Sequence, residues 1–382
     1  MAQLAYRVVL EVSLLFSRSK PHTPIKLSWS VEGWRARLLG RDSEVARTFE
    51  EELLADGRVE LSLFQRREFV AASSGEHLLF QLRAPSGKPA MQAVVTLERP
   101  RRLPQLARGR VHQLGWSVDA EAELRGLQSL RELCRASGAM VSLRLQPHRT
   151  EGDALCDVEA RARRAGFQRV EPLGVTRTLL LDLAPGVDRL LASLSKKTRW
   201  RVRHRSREQV ELRALTDRRF IPACVTAANA SLSRTGGGTS RFDFAAAFHL
   251  AASAPERVRI TGVFLRNRPD TLLAFNIGMR HDSRAEYSSA GSLLDPALRE
   301  LPFNYWLLWE LILWAQRAGA RCFDFGGITD GSEEDRCRGI SAFKRHFCDR
   351  EVEVGRELIS NLKPAQAMAL DLWSAIRRLR SM

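Results

Sequence analysis

The sequence predicts a mixed α/β protein (mixed sheet, α+β-like) built from two successive copies of one arrangement. Three observations predict it. Short apolar strands bounded by Gly, Ser and Pro alternate with helical patterns along most of the chain. The order of elements in the first half recurs in the second, and two matching joins read helix-Ser137-Gly138-Ala139-strand and helix-Ala318-Gly319-Ala320-strand. Finally, 382 residues are enough for two domains that each bury a core. The expected domains are 1–184 and 185–382, the second ending in a closing helix.

Taken in order, the first forty residues carry little pattern and are expected to be poorly ordered. A helix is expected over Ser43–Ala55. Val59–Phe64, His77–Arg83 and Ala90–Leu97 alternate or run apolar between turn residues and read as strands. Arg99–Pro104 is a basic loop, and Arg110–Gly115 a further strand. Ala120–Ser137 is a helix stopped by Gly138, followed by strand Ala139–Leu145, helix Cys156–Gly166 and strand Thr178–Leu183. In the second half one long helix is expected over Pro185–Glu208, with Pro tolerated in its first turn. Helices follow over Arg218–Ser231 and Ala245–Ala252. Val258–Arg266, Thr271–Met279 and Ala285–Gly291 form a meander. Phe303–Ala318 is apolar nearly all round and therefore a central buried helix, with Asn304 as its cap. Strands Cys322–Phe325 and Glu351–Ile359 and helix Pro364–Arg380 complete the chain.

The charge balance is unusual: 60 Lys+Arg against 44 Asp+Glu gives +16. Such an excess favours polyanionic partners, whether nucleic acid, an anionic lipid surface or a phosphorylated substrate. The six cysteines form no C-x-x-C pair and show no His at metal spacing, so they read as reduced packing residues. There is no run of 18 apolar residues. The apolar start, Leu4–Phe16, is interrupted by Arg7 and Glu11 and does not read as a signal peptide.

Three stretches carry candidate chemistry. Phe323-Asp324-Phe325-Gly326-Gly327 reads as a buried strand running into a glycine pair, which lets backbone approach a ligand closely. The helical turns after it place Ile340, Phe343 and Phe347 on one face with Lys344 beside them, where a lysine can meet an anion. Lys196, Lys197, Arg199, Arg201, Arg203, Arg205 and Arg207 put seven cations in twelve residues, around Trp200. Leu190, Leu194, Thr198 and Val202, spaced by four, give that segment a face that packs. The run is either a solvated face or a phosphate- or RNA-binding one, and Trp200 adds a stacking surface. The glycine loop between Arg234 and Arg241 lacks the Lys-Ser/Thr of a P-loop and reads as a lid or a phosphate cradle.

These stretches occur together with Tyr287-Ser288-Ser289-Ala290-Gly291-Ser292 and Pro302-Phe303-Asn304-Tyr305, in an order that resembles the Fem-type peptidoglycan aminoacyltransferases (FemA, FemB, FemX) over roughly 176 to 360. The resemblance implies two tandem GNAT-like (acyl-CoA N-acyltransferase-like) domains. It implies transfer of an amino acid from aminoacyl-tRNA to an amine on the stem peptide of a peptidoglycan precursor, nucleotide- or lipid-linked. The family's Phe-Lys pair falls on Phe343 and Lys344. Beside them, Asp324 reads either as a residue that orients donor or amine or as strand-end packing. Substrate contacts fall on Tyr287, Asn304, Gly326 and Gly327, and those to precursor phosphates on Arg234 or Arg241. Lys196, Lys197, Arg199, Arg201 and Arg203 would meet RNA or phosphate. The donor is an activated ester, so neither a metal nor another cofactor is expected. The expected location is cytoplasmic, with peripheral contact at the inner membrane surface. Two alternatives stay open at this point: an acyl-CoA-dependent transferase acting on a sugar or lipid amine, and a nonenzymatic protein binding RNA or an anionic surface.

Overall fold

The structure is a computed structural model. It describes residues 26–379 apart from 41–44, 101, 105, 115–116, 148–151, 174–175, 204–209, 236–237, 294, 297–300 and 330–334. The chain divides into two compact units.

The first unit begins with a hairpin of β1 (Lys26–Val31) and β2 (Trp34–Gly40). Glu32 and Gly33 both have positive φ, 51° and 83°, which is the two-residue turn that suits the twist of a hairpin. Along β2, Trp34, Ala36 and Leu38 are buried while Arg35 and Arg37 are exposed. The expectation of disorder through residue 40 therefore fails for residues 26–40, and residues 1–25 lie outside the described ones. Next come α1 (Val45–Ala55), α2 (Arg67–Ala72), β3 (Glu76–Arg83), β4 (Pro89–Glu98), β5 (Arg108–Leu114), α3 (Ala120–Ser137), β6 (Ser142–Pro147), α4 (Gly152–Arg164) and β7 (Gln168–Arg169). Asp119 accepts from the Ala122 amide at 2.8 Å at the start of α3, and Gly138 ends that helix with φ 63°. The strand expected over Val59–Phe64 is not a strand. Val59 and Leu61 are buried against Phe49 and Leu53 of α1, so their alternation serves a helix rather than a sheet neighbour.

The second unit runs through β8 (Arg177–Asp182), α5 (Val187–Ser193), α6 (Lys196–Arg203), β9 (Val210–Ala214), α7 (Ile221–Arg234), α8 (Phe244–Ser253), β10 (Val258–Leu265), β11 (Ala274–His281), β12 (Arg284–Ser292), α9 (Phe303–Arg317), β13 (Cys322–Asp324), α10 (Arg338–Arg345) and β14 (Glu351–Glu353). The chain then returns to the first unit with β15 (Leu358–Asn361) and α11 (Pro364–Leu379). The single helix expected over Pro185–Glu208 is two over its described residues, which end at Arg203. Leu194 is extended, and Ser195 Oγ accepts from the Thr198 amide at 3.1 Å, starting α6 anew. Leu190, Leu194, Thr198 and Val202 are nonetheless all buried, as their spacing implied. Strand β9 escaped the sequence reading, which ended helix at Glu208 and named no element before Arg218.

The two sheets follow one plan. The first has the order β1-β2-β3-β4-β5-β6-β15-β7 and the second β14-β8-β13-β12-β11-β10-β9. Among the described residues each contains one parallel pair, β5 with β6 and β12 with β13. Beside that pair each sheet takes its next strand from the other half of the sequence. In the first sheet β15 lies between β6 and β7; in the second, β8 lies between β13 and β14. This corrects the expected domains 1–184 and 185–382. The break falls near 175, Glu351–Ile359 is two strands in two different sheets, and residues from Val354 onward close the first unit. Helix α9 is the buried centre of the second unit, with Tyr305, Leu308, Trp309, Leu311, Ile312 and Trp314 packed on Leu179 and Phe323. Each such aliphatic side chain, fully buried, is worth roughly 1.5–3 kcal/mol.

Candidate active site

The site is built where the second unit's parallel pair comes apart. Strands β12 and β13 pair only from Arg284 opposite Cys322 to Glu286 opposite Asp324. Beyond that point β12 continues beside β11 to Ser292, with a bulge opposite Ile277 and Gly278, whereas the other chain turns away at Phe325-Gly326-Gly327. Gly326 makes the turn possible. Its φ is +67°, and a Cβ there would stand 2.8 Å from the Tyr287 carbonyl oxygen. Asp324 holds the same turn: its carboxylate accepts from the Gly326 amide at 2.8 Å and from the Thr178 hydroxyl, with Arg284 at 3.1 Å. Burial pushes the Asp324 carboxyl above its ordinary range, against the pull of Arg284. Asp324 is 1% exposed, so it organises the strand end and reaches a substrate only through the turn.

Lys344 enters this turn from α10. The helix buries Ser341 and Lys344, Phe347 is buried just past its end, and Ile340, expected on the apolar face, is 44% exposed. Lys344 is 6% exposed, and its ammonium donates to the Gly327 carbonyl at 2.6 Å. It lies 5.6 Å from the centre of the Tyr287 ring. Burial lowers its pKa to about 8, while the charges of Asp324, Glu286 and Cys337 oppose the shift. Burial pushes the Tyr287 phenol well above its usual range. Glu286 sits one residue before Tyr287, 3.2 Å from Nε2 of buried His281, whose pKa burial lowers. The arrangement keeps the Lys344 cation buried where the two strands diverge, where it can face a developing negative charge.

Of the residues singled out from the sequence, the structure brings together Tyr287, Asp324, Gly326, Gly327 and Lys344. Phe343 packs edge-on against Tyr305 at 5.0 Å and against Phe347 at 5.7 Å, so it supports α10 rather than lining the turn. Asn304 is exposed and does not cap α9. The cap position is Pro302, and Asn304 is already inside the first turn. Arg234 is spoken for at the far end of β12, donating to the Ser292 carbonyl at 3.2 Å and to Ser231 Oγ at 2.8 Å. Arg241 is exposed beyond that loop.

The basic helix is tied to the same place. Arg201 donates to the Tyr305 hydroxyl, its guanidinium stands 4.8 Å from that ring, and the hydroxyl lies 2.8 Å from Nδ1 of His346. Trp306 Nε1 donates to the Arg201 carbonyl at 2.8 Å. Helix α6 is thereby fastened to α9 and, through His346, to the end of α10. Lys196, Lys197, Trp200 and Arg203 are exposed, while Arg199 is half-buried and reaches the Ala192 carbonyl. Partial burial and the nearby charges of Arg201 and Lys197 lower the His346 pKa. Arg205, Arg207 and the glycines at 236 and 237 lie outside the described residues. Sequence reasoning missed His281, Arg284, Glu286 and His346. Only the alternation of Arg284 and Glu286 along β12 hinted that polar side chains share one face, and nothing in the sequence marked His281 or His346.

Comparison with known proteins fits this geometry. Residues 189–345 match the acetyltransferase (GNAT) domain family. FemX superposes with a TM-score of 0.67 at 16% identity, over 84% of this chain and 97% of its own. The fold is a tandem GNAT fold. A tandem GNAT protein from the clavulanic acid biosynthesis pathway aligns with a TM-score of 0.50 and 11% identity, over 86% of this chain and 98% of its own. L-PGS from Bacillus licheniformis aligns with a TM-score of 0.50 and 14% identity, over 87% and 96%. No curated protein sequence matches the chain. The expected Fem-type resemblance holds at the level of fold, and the two expected GNAT-like domains are present. Among the described residues no helix is long and apolar enough to cross a membrane.

Proposed function

We propose that this protein is an aminoacyltransferase that moves an amino acid from aminoacyl-tRNA to an amine of a peptidoglycan precursor's stem peptide. The observation that carries the reading is Lys344, a buried ammonium at the point where β12 and β13 part. The likeness to FemX supports it, as does the basic helix fastened beside α10.

In this reaction the neutral amine attacks the ester carbonyl carbon. The C–N bond forms, the carbonyl oxygen takes negative charge, and the bond from the carbonyl carbon to the ribose oxygen then breaks as the amine's proton passes to that leaving oxygen. Lys344 faces the oxyanion, and its desolvated charge is worth most there. The ester is already activated, so alignment supplies much of the remaining rate. Lys196, Lys197, Trp200 and Arg203 offer charge and a stacking face for the acceptor end of the RNA, whose backbone is held without sequence reading.

The match to the acetyltransferase family favours one second reading, an acyl-CoA donor with a sugar or lipid amine as acceptor. A pool of radiolabelled aminoacyl-tRNAs offered with nucleotide- and lipid-linked precursors tests the first reading, and acyl-CoA offered with amines tests the second. Label moving to precursor supports the proposal. Thioester turnover without it supports the second reading. Salt-sensitive RNA binding with neither activity leaves a binding protein on a transferase fold.

A further inference from the structure

Helix α11 carries apolar side chains on two opposite sides. Ala367 and Leu370 are buried against Val141, with Trp373 packed on the same cluster. That face accounts for the amphipathic half a packed helix needs. The outward side should then be polar. Instead Met368, Leu372 and Ile376, spaced by four, are 71%, 63% and 42% exposed, with Ala365 and Ala369 exposed beside them. Elsewhere the exposed large apolar side chains, Leu173, Val187, Trp200 and Ile340, are scattered singly along the chain. The sequence of α11 contains one acid, Asp371, which pairs with Arg108. It ends in Arg377 and Arg378, followed by Arg380.

We infer that the outward face of α11 docks on an anionic lipid bilayer surface. The stripe is long enough for two helical turns to lie in the interface. The arginines at its end and the net charge of +16 complement anionic headgroups rather than a second copy of the same basic chain. The helix lies on the surface and does not span it: it has 16 residues and is packed on one side.

Flotation of the full chain with phosphatidylcholine vesicles, with and without phosphatidylglycerol, tests this. The chain should float with the anionic vesicles and stay behind with phosphatidylcholine alone. Replacing Met368→Ser, Leu372→Ser and Ile376→Ser together should lower the bound fraction by ~10-fold or more and leave the melting temperature unchanged, because the side chains are solvent-exposed. Arg377→Gln with Arg378→Gln and Arg380→Gln should remove the preference for anionic lipid. Equal flotation of the serine variant and the parent overturns the inference, and so does no flotation of the parent. A large loss of melting temperature in the serine variant overturns it too, by showing the stripe covered within the chain. A parent dimer that the variant dissociates, without vesicle binding, assigns the face to a second copy instead.

Discussion

The two parallel strand pairs of this molecule occupy the same place in the same sheet plan and end differently. In the first unit β5 and β6 stay paired from Arg108 opposite Ser142 to Leu114 opposite Pro147, with an irregularity after Val111. Glu357 is buried beside this pair, between Arg110 at 3.2 Å and Arg144. Burial opposes its charge, but the Arg144 hydrogen bond and both guanidinium charges together hold its carboxyl below the usual range. In the second unit the ladder stops after three pairs, the buried Asp324 lies 3.1 Å from Arg284, and burial nonetheless pushes its carboxyl up. The buried cation there, Lys344, makes its hydrogen bond to a carbonyl rather than to a carboxylate. A closed pair around an ion-paired carboxylate is a structural joint, whereas an open pair with a buried cation hydrogen-bonded to a carbonyl suits a reacting centre. The same fold thus carries a joint in one copy and a candidate site in the other.

The comparison breaks most visibly at Glu357. Glu357→Ala leaves two arginines facing each other in a buried place, and a loss of ~3–5 kcal/mol in the first unit is expected from urea melts. Asp324→Asn should be milder, because the fold already disfavours its charge; equal losses would mean that the two joints are alike. Next in size is Lys344→Met, which keeps the apolar stem. If the cation meets transition-state charge, turnover falls by about 10²–10³, or ~2.7–4 kcal/mol, with KM nearly unchanged. A rise in KM alone would make Lys344 a ground-state phosphate ligand. A variant that melts normally and turns over at the parent rate removes the lysine from the site.

Smaller effects come from pH. Turnover that needs protonated Lys344 should decline as pH rises through about 8, and the inflection should vanish in Lys344→Met. Stability runs the other way. The folded pKa of Lys344 lies below its unfolded value, ~10.4, so its contribution is fully present above that value and lost as pH falls through about 8. Glu357, with its folded pKa depressed, contributes stability above its unfolded value of ~4.3 and loses it as the pH falls. Asp324 has the opposite sign, its raised pKa favouring the fold at low pH. Hydrogen exchange of each unit between neutral and acid pH therefore should show the β5–β6 joint loosening first. The smallest expected effect on stability is at α6: Arg199→Glu with Arg203→Glu should change melting by less than ~0.5 kcal/mol per site while weakening RNA or precursor binding and flattening its salt dependence. Unchanged binding of both would leave α6 a solvated face.

Much of this was legible in the residues alone. Helix α3 with its glycine stop, the meander β10–β12, the all-round apolar α9 and the packed face Leu190-Leu194-Thr198-Val202 follow from local periodicity and capping, which act over a few residues. So did the importance of Gly326-Gly327 and Lys344, because a glycine pair after a strand and a lysine on an apolar helix face are local oddities. Only the tertiary structure decided which sheet received β8 and which β15, since strand pairing is a contact between distant segments and short strands such as Glu351–Glu353 carry no label of their partner. Only it showed Lys344 turned inward and Ile340 outward, Phe343 given to Tyr305, Asn304 left outside, and Asp324 and Glu357 set in opposite surroundings. Those outcomes depend on which charges and carbonyls are brought within a few ångströms, and no spacing along one chain states that distance.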